Sequence, residues 1–245
     1  MKRRLDVELV ERNLAESREQ AQRLILAGEV WVEGQRWDKA SKLCAADAAI
    51  EVRGGDRYVS RGGHKLEGAL TGFQIDVTGL RCLDLGASTG GFTDCLLQHG
   101  AKEVVAVDVG HGQLHWRLRQ DPRVQVHEGV NARALIDYAR DHFPGVFDLV
   151  VCDVSFISLR KVLPPAFDLL SSGGRVCALI KPQFEAGREE VGKGGIIRDE
   201  QVRLRVVREL VAWAAGFPVT TVGTIPSPLP GRDGNEEFLW LLQKK

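Results

Sequence analysis

Apolar positions along this chain change period twice. From Arg4 to Asn13 the apolar residues Leu5, Leu9 and Val10 fall on one helical face, and Ser17 to Ala27 repeats the pattern with Ala21, Leu24 and Ile25 inward. Ser17 is a good N-cap, and Gly28 ends the second helix. Short alternating strands follow at 29–32 and 49–52, with turns at Glu33-Gly34 and Ala46-Asp47. After a polar, glycine-bearing stretch, a helix is predicted from about His64 to Phe73. Continuous apolar runs then dominate, as in strands covered on both faces. They lie at about Leu80–Asp84, Val104–Val109, Val124–Glu128, Phe147–Asp153 and Arg175–Ile180. The last two strands are predicted at Val219–Ile225 and Phe238–Leu242. Between the runs, Thr93–Gln98 and Asp199–Ala215 read as helices. Ser158–Leu170 reads as a helix that Pro164 and Pro165 should bend or split. Phe184 to Arg198 has no periodicity and is long enough to suspect a lid.

The sequence centres on Leu80–Thr93, LRCLDLGASTGGFT. Strand, glycine turn and helix open a doubly wound α/β domain, whose ligands sit at the carboxyl ends of the strands. A phosphate loop needs a lysine where Phe92 stands. A dinucleotide fingerprint needs a glycine where Ser88 stands. S-adenosylmethionine carries no phosphate and asks only for an open turn and carboxylates. Asp84, Gly86, Gly90 and Gly91 meet that need, and Asp108 near the next strand's end can accept from two ribose hydroxyls. That spacing also suits a nicotinamide cofactor. Asn131, after the third strand, is a weaker candidate for the adenine, as is Ala132.

The chain has 245 residues, 44% of them hydrophobic, enough for one large domain or a large and a small one. Lys and Arg number 33, as do Asp and Glu, so nucleic-acid binding must come from local patches. Residues 1–57 are also balanced, with 11 basic and 11 acidic side chains. Cys44, Cys82, Cys95, Cys152 and Cys177 form no CxxC pair, which favours reduced thiols, a cytoplasmic setting and no zinc site. No apolar run approaches the roughly 20 residues of a membrane span. The N-terminus lacks the apolar core of a signal peptide.

Asp153 and Lys181 close successive strands on the edge that carries Gly86. Glu236 and Glu237 begin the last strand; if it runs antiparallel, its start lies on that edge too. Singly, such residues are ordinary strand ends or ion pairs. Together with Lys65, on the first turn of its helix, they form a set of two lysines and two acids. Such a set suits methyl transfer to a hydroxyl, where a lysine accepts or orients the proton and no metal is required.

Two resemblances sharpen this reading. The pattern RLD-x-x-LV followed by LA-x-SR-x-x-A-x-x-LI-x-x-G-x-V-x-V-x-G resembles the αL RNA-binding module of a ribosomal small-subunit protein, S-four. It implies that Lys2, Arg3, Arg4, Arg18 and Arg23 contact RNA phosphates, with Arg61 beyond the module as a further cation. The runs SRGGHKLEGAL, CLDLGASTGGFTDCLLQHGA, VVAVDVGHGQL, CDVSFISL, LIKPQFE and GNEEFLWL are similar to the TlyA family, which joins that module to an FtsJ-like methyltransferase domain.

The resemblance implies a Rossmann-like class I methyltransferase sheet, mostly parallel with one antiparallel strand, behind a small N-terminal α+β RNA-binding domain. The domains would be 1–56 and 64–245, with a linker at 57–63. The implied activity is S-adenosylmethionine-dependent 2′-O-methylation of ribosomal RNA. The family's Lys-Asp-Lys-Glu set falls on Lys65, Asp153, Lys181 and Glu237. Lys181 would be base or orienter, Asp153 its partner, and Lys65 and Glu237 would place the nucleotide. The cofactor positions would be Asp84, Gly86, Ser88, Gly90, Gly91, Phe92, Asp108, Val109, Asn131 and Asp153. Ribosomal subunits are the expected partner, with no membrane, no metal and a monomeric chain. Some family members carry the name hemolysin, but the sequence offers no apolar face or span for pore formation. The rival of another class is a non-catalytic ribosome-assembly factor.

Overall fold

The computed structural model describes residues 2–26, 28–52, 57–131, 134–231 and 233–245, and the chain divides into two compact units, 1–57 and 58–245. Ala27, the expected module exit at Arg53–Asp56, and Ala132 lie outside the described residues.

The first unit runs β1 (Lys2–Arg4), α1 (Leu5–Glu11), α2 (Arg18–Leu26), β2 (Val30–Val32), β3 (Gln35–Arg36), β4 (Leu43–Ala45) and β5 (Ile50–Val52). β2 lies between β3 and β5, all antiparallel, and β1 pairs with β4. The periodic positions Leu5, Leu9, Ala21, Ile25, Val30 and Val32 form its core. β1, β3 and β4 were not anticipated, because two or three residues carry too little alternation to be read.

The second unit holds a seven-stranded sheet of β6 (Arg81–Leu85), β7 (Glu103–Asp108), β8 (Val124–Glu128), β9 (Phe147–Cys152), β10 (Leu170–Ile180), β11 (Val219–Pro226) and β12 (Phe238–Lys244). Their order is β11-β12-β10-β9-β6-β7-β8. Pairings are parallel from β10 through β8, and β12 is antiparallel to both neighbours. The helices are α3 (Gly62–Gly72), α4 (Gly91–Gln98), α5 (Trp116–Gln120), α6 (Leu135–His142), α7 (Leu159–Asp168) and α8 (Glu200–Ala214). Alternate strand residues feed two cores. Leu83, Val105, Val150, Ala178 and Trp240 pack on one face, and Cys82, Val104, Leu149, Cys177 and Leu241 on the other. Burial on both faces explains why the strands read as continuous apolar runs. All five cysteines are buried thiols, none of them in a disulfide.

Three expectations are corrected. Strand β6 does not stop at Asp84: it reaches Leu85, so the Asp84 side chain lies inside the sheet at 0% exposure. α7 is neither split nor ended by Pro164 and Pro165. Leu159, Val162, Leu163, Ala166 and Phe167 bury a continuous apolar face that offsets the missing backbone donors. Residues 58–63 are not a free linker but the edge of the second unit. Tyr58 is buried, the Val59 N–H donates to Asp94 at 2.8 Å, and α3 already begins at Gly62.

Candidate active site

The glycine turn is shaped by close approach. Gly86 has φ +85°, and a Cβ there would stand 2.6 Å from the Asp153 carbonyl oxygen. Gly91 lies against residues 60–63; a Cβ on it would stand 2.9 Å from the Gly63 nitrogen. That contact brings α3, and therefore Lys65, beside the turn. Gly90, at φ +96°, turns the chain into α4, and Ser88 is also left-handed at φ 48°. Phe92 is buried below the turn.

Two carboxylates frame the turn. Asp84 accepts a hydrogen bond from the Thr93 hydroxyl at 2.6 Å, while its other oxygen is buried with no hydrogen-bond partner among the described residues. Burial pushes its pKa up to about 7, with Thr93 opposing the shift and Asp153 adding to it. Asp108 ends β7 and accepts from the Ser88 N–H at 2.8 Å and the Gly110 N–H at 2.7 Å. Each of its oxygens has a second lone pair for a ligand hydroxyl. Val109 is 71% exposed beside it. The Val130 N–H donates to the Asp108 carbonyl, which brings exposed Asn131 to the same edge. An orphaned buried carboxylate oxygen, a tight turn of small residues and a half-exposed carboxylate suit a cationic, ribose-bearing cofactor without phosphates.

The register of the sheet brings the remaining groups together. Ile180 pairs with Phe238, and Leu85 and Ala178 both pair with Cys152. Asp153 and Gly86 therefore stand one residue beyond the Leu85–Cys152–Ala178 row, and Lys181 and Glu237 one residue beyond the Ile180–Phe238 pair two positions further along, all at the same edge of the sheet. Lys181 Nζ is 2.6 Å from Asp153 Oδ1 and donates to the Ser155 hydroxyl at 2.8 Å. Lys65 Nζ donates to Glu237 Oε2 at 2.5 Å, with both side chains almost fully buried. This pairing explains a lysine at the N-terminal turn of α3, where the helix dipole alone disfavours it. Burial raises the Glu237 pKa; Lys65 and Lys181 oppose that rise, and Asp153 adds to it, so the two pairs share one electrostatic environment. Glu236, the neighbour left open by sequence, points away and pairs with Arg203 at 3.0 Å.

Several residues of the site were not singled out beforehand, though most lie within the motifs. Thr93 holds Asp84, and Ser155 holds Lys181. Asn235, buried in the turn before β12, accepts from the Ile197 N–H at 3.0 Å and donates to the Gly195 carbonyl at 2.8 Å. Glu185 accepts from the Ser158 hydroxyl and the Leu159 N–H, both at 2.7 Å, and so caps α7 from a distance. Phe156 is 90% exposed at φ 63°, an unusual backbone for a bulky residue, with its ring 5.0 Å from that of Phe184. No periodicity signals it.

In the first unit, Arg4 grips the buried Asp6 with two hydrogen bonds of 2.9 Å, and Arg18 reaches the same carboxylate at 3.1 Å. These donors hold the Asp6 pKa far below its ordinary value. Arg3 pairs with Glu11. Lys2 and Arg23 form no ion pair among the described residues, and in the second unit Arg61 donates to the Pro230 carbonyl at 3.1 Å. Among the described residues, no group of three His, Cys, Asp or Glu side chains is arranged to hold a metal ion.

Comparison with known proteins bears on both units. The model of the FtsJ-like methyltransferase family matches residues 58–244, and that of the S4 domain matches residues 3–50. A Mycobacterium tuberculosis protein named 16S/23S rRNA (cytidine-2′-O)-methyltransferase TlyA is 51% identical over 241 residues, 97% of this chain and 89% of its own. Hemolysin A of Brachyspira hyodysenteriae is 46% identical over 238 residues, 96% of this chain and 98% of its own. A solved structure from Streptococcus thermophilus, described as a candidate hemolysin, superposes with a TM-score of 0.75 at 44% identity, covering 100% of this chain and 89% of that one.

Proposed function

Because the chain belongs to the FtsJ-like methyltransferase family, we propose that it transfers a methyl group from S-adenosylmethionine to a ribose 2′-hydroxyl of ribosomal RNA. One observation carries the reading: the Lys181–Asp153 and Lys65–Glu237 pairs stand together at the sheet edge beside the glycine turn. The name of the Mycobacterium tuberculosis relative, and the S4 match in the first unit, support ribosomal RNA as substrate and the cytoplasm as the place of action.

In this reading Gly86, Ser88, Gly90 and Gly91 form the tight turn against which the cofactor would sit, with Phe92 supporting the turn. The unpartnered Asp84 oxygen would meet its ammonium, Asp108 would accept from its ribose hydroxyls, and Val109 and Asn131 would border its adenine. S-adenosylmethionine supplies a methyl carbon already activated by its sulfonium. The protein's task is to orient a hydroxyl and manage its proton. Asp153 and Ser155 fix Lys181 Nζ, which in its neutral form takes the hydroxyl proton and otherwise orients the oxygen. Lys65 and Glu237 hold the nucleotide; as a pair they stay rigid because both are buried. Phe156 offers an exposed ring to an unstacked base, the usual form in which proteins handle an RNA nucleotide. Lys2, Arg3, Arg4, Arg18, Arg23 and Arg61 contact phosphates, which positions the RNA without reading its sequence.

The test is methyl transfer from labelled S-adenosylmethionine to purified ribosomal subunits lacking the modification, wild type beside Lys181→Ala. Label in RNA with wild type alone is the expected result. Cofactor binding without label on either subunit or on the assembled ribosome refutes the reading and favours a non-catalytic assembly factor.

A further inference from the structure

Residues 185–198 divide their charges by sign. Two of its three acids are taken up by the protein itself. Glu185 caps α7, and Glu190 receives the Arg205 guanidinium at 2.5 and 2.6 Å and the Gly187 N–H at 3.1 Å. Asp199, just past the segment, caps α8 by accepting from the Gln201 N–H at 2.8 Å. The cations go the other way. Arg188, Lys193 and Arg198 are exposed, and none of their side chains has a hydrogen-bond or ion-pair partner among the described residues. Against them, only Glu189 of the segment's acids is exposed.

The segment is also pinned to the catalytic edge. Asn235 ties Gly195 and Ile197 to the turn that precedes Glu237, and Ile197 is buried. Single turns of 3-10 helix at Pro182–Phe184, Arg188–Glu190 and Lys193–Gly195 give it form. In the last of these, Gly194 at φ +79° and Gly195 at φ +74° make a tip that is almost bare backbone, with open space beside Gly195.

A chain whose charges cancel overall binds a polyanion only through such local partition. We propose that Arg188, Lys193 and Arg198 form a phosphate-binding strap, through which the second unit holds the RNA backbone next to the nucleotide being methylated. This rests on the reading of the site as an RNA 2′-O-methyltransferase. Phosphate contacts fix register and orientation, so the strap raises affinity and leaves the chemistry of the bound complex alone.

The experiment measures binding of the full chain to unmodified ribosomal subunits across a salt series, with methyl transfer on the same material. The triple variant Arg188→Ala, Lys193→Ala, Arg198→Ala should bind on the order of 10-fold to 100-fold more weakly, with a salt slope smaller by about 2 to 3. Its KM for RNA should rise while kcat and cofactor affinity stay unchanged. Glu189→Lys, at the exposed acid of the segment, should tighten binding and steepen the slope by about 1. Unchanged affinity and slope in both variants overturn the strap. So does a loss of binding to anionic lipid vesicles with RNA affinity intact, which would make the segment a membrane contact. Failure of the functional reading is distinct: wild type itself then puts no label into RNA.

Discussion

Replacing Asp84 with asparagine should make the protein more stable and less able to bind its cofactor, and the gain should depend on pH. The carboxyl is wholly buried in β6, with one oxygen on Thr93 and the other unpartnered. Its pKa rises from 3.8 to about 7. Below pH 3.8 the folded and unfolded chains both carry the proton. Between 3.8 and about 7 the unfolded chain releases it while the folded chain keeps it, so stability falls as pH rises, by about 1.4 kcal/mol per pH unit. Asparagine keeps an acceptor for Thr93 and has no such dependence. In urea unfolding, the stability of Asp84→Asn relative to wild type should therefore increase by about 3 kcal/mol between pH 5 and pH 8. Other carboxyls titrate alike in both proteins and cancel. Saturating S-adenosylmethionine should flatten the wild-type dependence, since a cation on the free oxygen favours the ionised form. Parallel stability–pH curves for the two proteins would refute both the burial argument and the assignment of that oxygen to the cofactor.

Asp108→Ala removes a carboxylate that holds two turn N–H groups, and charged hydrogen bonds are worth about 1.5–3 kcal/mol. Calorimetry should show cofactor affinity down on the order of 10-fold to 100-fold with RNA affinity intact; equal losses would mean that the end of β7 is misread. Lys65→Ala strands Glu237 in the interior and should cost about 3–5 kcal/mol in urea unfolding at pH 8, less at acid pH where Glu237 protonates; a cost near zero would show the pair is not buried in solution. Asp6→Ala frees Arg4 and Arg18. Because the Asp6 pKa is depressed on folding, its stabilisation is present above its ordinary 3.8 and lost as pH falls, so the loss of about 3 kcal/mol expected at pH 7 should shrink near pH 3. A pH-independent loss would remove the carboxylate from the explanation. Deleting residues 1–57 should lower RNA affinity and its salt slope, as measured by filter binding; unchanged values would exclude the first unit as an RNA anchor.

What the sequence by itself determined follows from local periodicity and backbone chemistry. Runs buried on both faces marked β6, β7, β9 and β10, and the antiparallel β12 was what the family resemblance implied. Glycines at Gly86 and Gly90 marked the turn because side chains there clash or strain. Tertiary structure alone decided which charges meet. The residues alone leave Glu236 and Glu237 open and only the family resemblance favours Glu237; in the fold they point to opposite sides, so Glu237 enters the interior with Lys65 and Glu236 joins Arg203. Asp84 read as a strand end, but one further residue of pairing put it inside the sheet, and that burial sets its pKa. Residues 58–63 read as a polar linker, yet Tyr58 and the glycines pack against α4 because Gly91 leaves room for them. Prolines that forbid a helix locally were overridden by the apolar face of α7. The split of the 185–198 segment, with Glu185 and Glu190 paired inward and its cations outward, was likewise invisible, since charge pairing depends on partners such as Arg205 that arrive from other elements.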